Sequence, residues 1–203
     1  MITIESKNLT ERENYKLLIG SVIPRPIAFV TSLSKQGVLN GAPFSYFTII
    51  SSAPPRILLS IARREGEMKD TTVNILYKKE FVVHTVDEAN VNEINLSAKS
   101  LPHNESEIEE IGMSTIKSHL VDVPAVTQSK IRFECLLDQH IPLEDEQGFM
   151  NADLIIGRVI CYHIEDQLYD DGKIIQDKWE AVSRLAGHDY ARIGEVFTLT
   201  RPK

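Results

Sequence analysis

A chain of 203 residues with 42% hydrophobic and 25% charged residues has the composition of a folded globular protein, and its length predicts one domain over residues 1–203. Its net charge of -7 argues against nucleic acid as a partner, because neutralising phosphates needs a basic face. Without an apolar run of membrane-spanning length or a secretory signal, the sequence predicts no membrane association and a cytoplasmic location.

The first third of the chain predicts one helix and three strands. Thr10 and Glu13 match a capping box that begins a helix over residues 10–20. Apolar residues at helical spacing predict its buried face, formed by Tyr15, Leu18, Ile19 and Val22. Apolar runs after this helix predict strands over residues 27–33, 42–51 and 56–62.

The middle of the chain predicts two more helices around a strand over residues 80–86. Asp70 and Asp87 are each predicted to cap a helix. The expected inner faces of these helices are Val73, Leu76 and Tyr77 in the first and Val91, Ile94 and Ala98 in the second. The acidic stretch within residues 101–111 predicts a solvated surface helix or loop.

The last third predicts two long strands over residues 130–137 and 152–163, a tight turn at residues 170–173 and a final strand over residues 195–200. Many strands with a few short helices, and no regular alternation of the two, predict a mainly β chain. The pattern leaves a β-rich barrel and an α+β domain as alternatives.

Several catalytic and metal-binding patterns are not recognised. The ten glycines form no Gly-x-Gly pair, which argues against a Rossmann or Walker A loop, and no Gly-x-Ser-x-Gly elbow marks a nucleophile. No His–Cys or Cys-x-x-Cys cluster is recognised, so we expect no metal, and Cys135 and Cys161 are expected to be buried, reduced thiols. No catalytic side chain is predicted, and a bound organic cofactor is the expected source of any chemistry.

Two stretches have the residue types of a ligand site. Hydroxyls at Thr31 and Ser32, small residues over 40–43 and the aromatic residues after them suit a planar heterocycle, although a simple hairpin is the alternative. In the second stretch, Arg63, Arg64 and Lys69 precede a predicted helix N-terminus at residues 71–72, which suits a phosphate. A charged surface loop is the alternative there.

Five motifs occur in an order that resembles the flavin reductase-like family. They are Pro24-Arg25-Pro26-Ile27-Ala28-Phe29-Val30-Thr31-Ser32, Asn40-Gly41-Ala42-Pro43-Phe44-Ser45-Tyr46-Phe47, Ser51-Ser52-Ala53-Pro54-Pro55, Lys69-Asp70-Thr71-x-x-Asn74 and Arg184-Leu185-Ala186-Gly187-His188-x-Tyr190. The resemblance implies an FMN-binding split β-barrel with a few short flanking helices, and a homodimer with FMN near the subunit interface.

The resemblance also implies roles for residues. Thr31 and Ser32 would meet the ribityl–phosphate side of FMN, while the isoalloxazine would be lined by Asn40, Ala42, Pro43, Phe44 and Ser45. The phosphate would be surrounded by Ser60, Ala62, Arg63, Lys69, Asp70 and Thr71. Asn74, His188 and Tyr190 would lie near the ring or the interface. Ala186 stands where the family commonly has glycine.

The function that this resemblance implies is an FMN-binding oxidoreductase. Hydride would pass from NAD(P)H, a transient co-substrate, to the flavin, and electrons would leave to free flavin, to a monooxygenase partner or to a redox protein. Two alternatives stay open: a non-enzymatic FMN electron carrier, and a split-barrel binding module without flavin.

Overall fold

The computed structural model describes residues 1–202. Within them, the α-helices are α1 Glu11–Ser21, α2 Asp70–Lys78, α3 Val91–Leu96 and α4 Glu107–Glu110. Single turns of 3-10 helix lie at Ser6–Asn8, Asp166–Leu168 and Gln176–Lys178. The strands are β1 Arg25–Pro26, β2 Ala28–Leu33, β3 Leu39–Phe44, β4 Phe47–Ser52, β5 Pro55–Ala62, β6 Glu80–Thr85, β7 Thr115–Ile116, β8 Ala125–Val126, β9 Ile131–Glu144, β10 Met150–Ile164, β11 Tyr169–Asp170, β12 Lys173–Ile174, β13 Val182–Arg184 and β14 Tyr190–Arg192. No helix in this range is both long and apolar enough to cross a membrane.

One antiparallel sheet of seven strands dominates the molecule, in the order β3-β2-β6-β9-β10-β5-β4. Its centre is the ladder between the long strands β9 and β10, which is interrupted by three register shifts. Such irregularities increase local bending and twist, so they allow long strands to curl. The sheet curls far enough for β3 to approach β5, which encloses a single main core. The predicted mainly β class is confirmed.

The main core is filled by alternate residues of the curled sheet. In β5, Ile57, Leu59 and Ile61 point inward while the residues between them are partly exposed. Phe81 from β6 and Ile155 from β10 are fully buried in the same cluster. Because side chains alternate along a strand, this register is fixed by which residues are apolar.

A small sheet brings the start and the end of the chain together. Strand β1 pairs with β13, and β13 pairs with β14. The buried Arg25 guanidinium donates to the carbonyl oxygens of Ile19 at 2.7 Å, Val22 at 2.6 Å and Leu185 at 2.7 Å. A cation at the C-terminal end of α1 satisfies helix carbonyls that have no intrahelical partner. The first and last sequence motifs are therefore joined by one side chain.

Several local predictions are confirmed. The capping box is formed, since the Thr10 side chain accepts from the Glu13 amide and the Glu13 side chain accepts from the Thr10 amide. The turn at residues 170–173 links β11 to β12 as a two-residue hairpin. The two long predicted strands are present, and both extend further than predicted toward the hairpin that joins them.

Other predicted elements are wrong. The strand expected over residues 42–51 is broken at Ser45–Tyr46, where the chain leaves one edge of the sheet and enters the other as β4. Asp70 is the first helical residue and Lys69 is the N-cap, without a side-chain cap. Asn90, not Asp87, is at the N-cap position of α3, and it makes no side-chain cap; the Asp87 carboxylate accepts from the amides of Ala89 and Asn90. Residues 195–200 form no strand.

The predicted inner faces of two helices are also wrong. In α2 the buried residues are Thr71, Thr72, Asn74 and Ile75, whereas Val73 and Tyr77 are exposed. The helix therefore presents polar residues to the sheet, which a purely apolar pattern does not reveal. In α1 only Ile19 is buried, and the other apolar residues of the predicted face are exposed: Tyr15, Leu18 and Val22.

The two cysteines differ from each other. Both are free thiols; Cys135 is buried as predicted, but Cys161 is only half-buried. Its Sγ lies 3.7 Å from His163 Nε2, and that ring lies 2.6 Å from Glu134 Oε1. A His–Cys cluster therefore exists. The Glu134 carboxylate already accepts the backbone amides of residues 119–121, so it anchors this loop to the sheet.

The His84 ring is fixed as a neutral imidazole inside the sheet. Its Nε2 lies 3.0 Å from the Val126 amide nitrogen, and its Nδ1 lies 3.1 Å from the Phe29 carbonyl oxygen. Since a backbone N–H can only donate, Nε2 accepts and Nδ1 carries the proton. Burial lowers the pKa of His84 from 6.5 to about 3.

We therefore expect acid to destabilise the fold through His84. The unfolded chain binds a proton at this ring below about pH 6.5, whereas the folded chain does not until about pH 3. In that window the free energy of unfolding falls by about 1.4 kcal/mol per pH unit as the pH is lowered. Thermal melts between about pH 7 and pH 5 should show a shallower pH dependence in His84→Gln than in the wild type. Equal slopes would contradict the buried neutral ring.

Helix α4 packs against β3 at Gly41, and the contact tolerates no side chain. A Cβ built on Gly41 would lie 2.8 Å from Phe29 Cζ and closer still to Ile108 Cδ1. Both of these neighbours are fully enclosed in a second apolar cluster. Because neither neighbour has room to move, the close approach of α4 requires glycine here.

The Gly41→Ala variant is expected to lose about 1–3 kcal/mol of unfolding free energy, which is the usual cost of overpacking a core. Gly20→Ala is the matched control, since Gly20 lies inside α1 and an alanine Cβ there would meet no atom within 4 Å. That control should gain up to about 1 kcal/mol from helix propensity. Urea denaturation measures both; a Gly41→Ala protein as stable as the wild type would refute the packing.

Candidate functional site

Two adjoining cavities open beside β3 and the N-terminus of α2. The first, the β3 cavity, has a volume of about 430 Å³ and is walled by Ala42, Pro43 and Phe44 together with the segment that follows α3. The second, the turn cavity, has a volume of about 700 Å³ and lies against the turn between β2 and β3. The two cavities share five lining residues: Asn40, Glu67, Met68, Asp70 and His103.

Most of the predicted site residues come together here. The β3 cavity is lined by seven of them: Asn40, Ala42, Pro43, Phe44, Lys69, Asp70 and Thr71. The turn cavity adds Arg63 and Asn74. Strand β3 is an edge strand of the sheet, and an edge strand accommodates a proline such as Pro43.

The other predicted residues do not line either cavity. The Thr31 hydroxyl donates to the Pro124 carbonyl at 2.8 Å, so it is not presented to a ligand. His188 is exposed in the loop of the small sheet, and the Tyr190 hydroxyl donates to Asn95 at 2.8 Å. Ser45, Ser60 and Ala62 do not line either cavity. Ser32 does not line them either, but it is hydrogen-bonded to Asn74, which does.

Of the three predicted cations of this region, Arg63 and Lys69 differ in their partners. Arg63 is neutralised by Asp153, to which its Nε and Nη2 donate at 2.9 and 2.8 Å. Burial alone would raise the pKa of Asp153, but the hydrogen bonds from Arg63 and His140 hold it below its ordinary value. The Asp153 carboxylate therefore holds Arg63 in place, which reduces the charge that Arg63 offers a ligand.

Lys69 has no such partner among residues 1–202. Its ammonium lies 5.7 Å from the centre of the Phe44 ring, on the wall of the β3 cavity. The side chain is accessible to solvent, yet enough protein surrounds it for burial to lower its pKa. The adjacent N-terminus of α2 has no side-chain cap, so its first amides are free to bind an anion.

Residues of both cavity walls belong to a buried hydrogen-bonded network centred on Asn40. Its Nδ2 donates to both carboxylate oxygens of Glu107 at 3.1 and 2.9 Å, and its Oδ1 accepts from Thr71 at 2.9 Å and Ser32 at 3.2 Å. Asn74 in turn donates to the Ser32 hydroxyl at 3.2 Å. The network ties β2, β3, α2 and α4 together, and it satisfies polar groups that burial would otherwise penalise.

Glu107 is missed by the sequence pattern, since its acidic neighbourhood predicts a solvated surface. Its side chain is buried in α4 and lines the β3 cavity, and burial raises its pKa. The missed signal is local: Ser106 accepts a hydrogen bond from the Glu109 amide as an N-cap, and Ile108 follows as an apolar anchor. These residues together mark a helix with one buried face.

A third concave surface, the apolar groove, lies between β4 and the small sheet. Its volume is about 900 Å³, and its apolar lining residues include Ile23, Pro24, Phe47, Ile49, Trp179 and Leu185. Ile49 is 77% exposed. An exposed apolar surface of this extent is usually covered by another molecule.

The chain is similar in sequence and in fold to several known proteins. The family model of the flavin reductase like domain matches residues 19–176. The crystal structure of nitrilotriacetate monooxygenase component B from Bacillus cereus is 50% identical, with a TM-score of 0.96 over 98% of both chains. The 2-nitrobenzoate 2-nitroreductase NbaA from Pseudomonas fluorescens is 31% identical, with a TM-score of 0.89 over 99% of this chain and 96% of that one.

A Shewanella frigidimarina protein with a split barrel domain is 16% identical, with a TM-score of 0.83 over 100% of both chains, and so shares the fold. The predicted split β-barrel is thereby confirmed. Because the family model spans well over half of the sequence, the chain belongs to the flavin reductase-like family.

Proposed function

We propose that this protein is an FMN-binding oxidoreductase that takes hydride from NADH or NADPH. The observation that carries the proposal is Lys69, an unpaired cation among residues 1–202, beside the uncapped N-terminus of α2 and above the apolar wall of the β3 cavity. A site that combines an anion-binding end with a flat apolar wall suits a molecule with a phosphate at one end and a planar ring at the other.

The residues present fit FMN. Lys69 and the first amides of α2 would hold the phosphate, while Ala42, Pro43 and Phe44 would pack against the ring. When bound, FMN supplies the acceptor for a hydride from the nicotinamide. The adjoining turn cavity, of about 700 Å³, gives room for the dinucleotide beside it. Thr31, Ser45, Ser60, Ala62 and His188 have no proposed contact within a single chain.

The destination of the electrons is proposed from the relatives. The similar protein from Bacillus cereus is called a monooxygenase component B, so we infer a monooxygenase partner that receives reduced flavin. Free flavin and a redox protein are the alternative acceptors.

Lys69→Ala is expected to weaken FMN binding tenfold to over a hundredfold. Loss of one charge-assisted contact is worth roughly 1.5–3 kcal/mol, which converts to that range. Quenching of FMN fluorescence by the apo-protein gives the dissociation constant. Lys16→Ala, an exposed lysine on α1, is the matched control and should bind as the wild type does. An unchanged constant in Lys69→Ala would place the phosphate elsewhere.

Turnover separates the enzyme from the alternatives. Steady-state oxidation of NADH or NADPH with added free FMN should proceed over many cycles. A carrier would be reduced once and stop, and a binding module without flavin would give no fluorescence quenching at all.

We also propose that the protein is a homodimer, with the apolar groove and the exposed face of α1 at its interface. The helical pattern predicts burial of Tyr15, Leu18 and Val22, yet they are 53%, 60% and 60% exposed in the single chain. They precede Ile23 and Pro24, which line the groove. A continuous apolar surface of this kind indicates a covering subunit.

Light scattering should give about twice the chain mass of 22.9 kDa. Ile49→Asp, which places a charge in the groove, is expected to shift the mass toward that of one chain. Leu120→Asp is the matched control, because Leu120 is 55% exposed outside the groove. A wild-type protein that is monomeric at micromolar concentration would contradict the interface.

A further inference from the structure

The buried carboxylate of Glu107 meets only hydrogen-bond donors. Asn40 Nδ2 donates to both of its oxygens, and the Gly41 amide donates to Oε2 at 3.2 Å. An ionised carboxylate has acceptors and no donor, so Asn40 cannot turn its own oxygen toward it. Glu107 therefore fixes the Asn40 amide in one of its two orientations.

The orientation of the Asn40 amide determines the direction of the other hydrogen bonds in the network. With Asn40 Oδ1 turned away from Glu107, both the Thr71 and the Ser32 hydroxyls must donate to it. The single proton of Ser32 is then used, so Ser32 can only accept from Asn74, whose Nδ2 lies 3.2 Å away. Asn74 lines the turn cavity, and its Oδ1 accepts no hydrogen bond from residues 1–202.

We propose that Glu107 is a positioning residue that sets the Asn74 amide, through Asn40 and Ser32, so that Asn74 Oδ1 faces the turn cavity as an acceptor. The cavity then recognises a ligand group that donates a hydrogen bond. This inference rests on the proposed function for its ligand, the primary carboxamide of a nicotinamide. A carboxamide N–H complements Asn74 Oδ1, whereas a methyl ketone in its place cannot donate.

A glutamine at position 107 removes the constraint. Its amide has one acceptor and one donor group, so Asn40 can rotate and turn its Oδ1 toward residue 107. Ser32 can then accept from Asn40 and donate to Asn74, which frees the Asn74 amide to present N–H to the cavity. The turn cavity would keep its shape but lose its preference for a ligand group that donates a hydrogen bond.

The test compares two dinucleotides of equal charge and similar size, NAD⁺ and its 3-acetylpyridine analogue, which lacks the carboxamide N–H₂. Dissociation constants are measured on the FMN-loaded wild type, Glu107→Gln and Glu109→Gln. Glu109 is the matched control, since it lies on α4 with its side chain exposed. One hydrogen bond corresponds to a preference of about five- to tenfold for NAD⁺. We expect this preference for NAD⁺ in the wild type and in Glu109→Gln. In Glu107→Gln we expect the preference to fall to about twofold or less.

Ser32→Ala provides a second variant without a charge change, because it cuts the link between Asn40 and Asn74. It should lose the preference as Glu107→Gln does. A preference that persists in either variant, or that is absent from the wild type, would overturn the proposal.

A measurement on the ligand-free protein separates this inference from the proposed function. NMR of the side-chain amides should show that Glu107→Gln shifts the Asn40 and the Asn74 signals together, while Glu109→Gln shifts neither. An Asn74 signal that does not move would refute the relay even if FMN binds. Failure of the wild type to bind FMN would refute the proposed function and leave the relay to be judged by these signals.

Discussion

The ladder between β9 and β10 is the constraint on which the remaining structure depends. These two strands carry β6 on one side and β5 on the other, so every further strand of the main sheet is placed by them. Their register shifts let the sheet curl, and this curl brings β3 near β5. The two cavities lie where β3 meets α2 and the loop between β5 and α2.

The charged groups of the molecule differ in whether folding supplies a partner. Several of them are matched: Arg63 by Asp153, Lys130 by Asp87, and Glu134 by three backbone amides. Such matching is needed because an unpaired buried charge is costly. Lys69, which is accessible to solvent on a cavity wall, has no such partner among residues 1–202, and an anionic ligand would supply one. The buried Glu107 lines the same cavity and accepts hydrogen bonds from Asn40 and Gly41.

The exposed apolar surface also lacks a partner within the single chain. The exposed face of α1 and the apolar groove are adjacent along the chain through Ile23 and Pro24, and the Arg25 hydrogen bonds fix this segment to the C-terminal strands. A pattern that predicts burial and a surface that is exposed are consistent when burial occurs between two copies of the chain.

The sequence by itself determined the strand-rich class, the capping box of α1 and the motifs that carry the family, because each depends on neighbours along the chain or on alternation within one element. The family resemblance also predicted Ala42, Pro43, Phe44 and Lys69 as site residues, and the structure brings these four to one cavity. Only the tertiary structure decided which polar groups were already satisfied. Arg63 meets Asp153 across 90 residues, and Asn40 meets Glu107 across 67. Such partners leave no local pattern, since the free energy of a buried polar group depends on what folding places beside it.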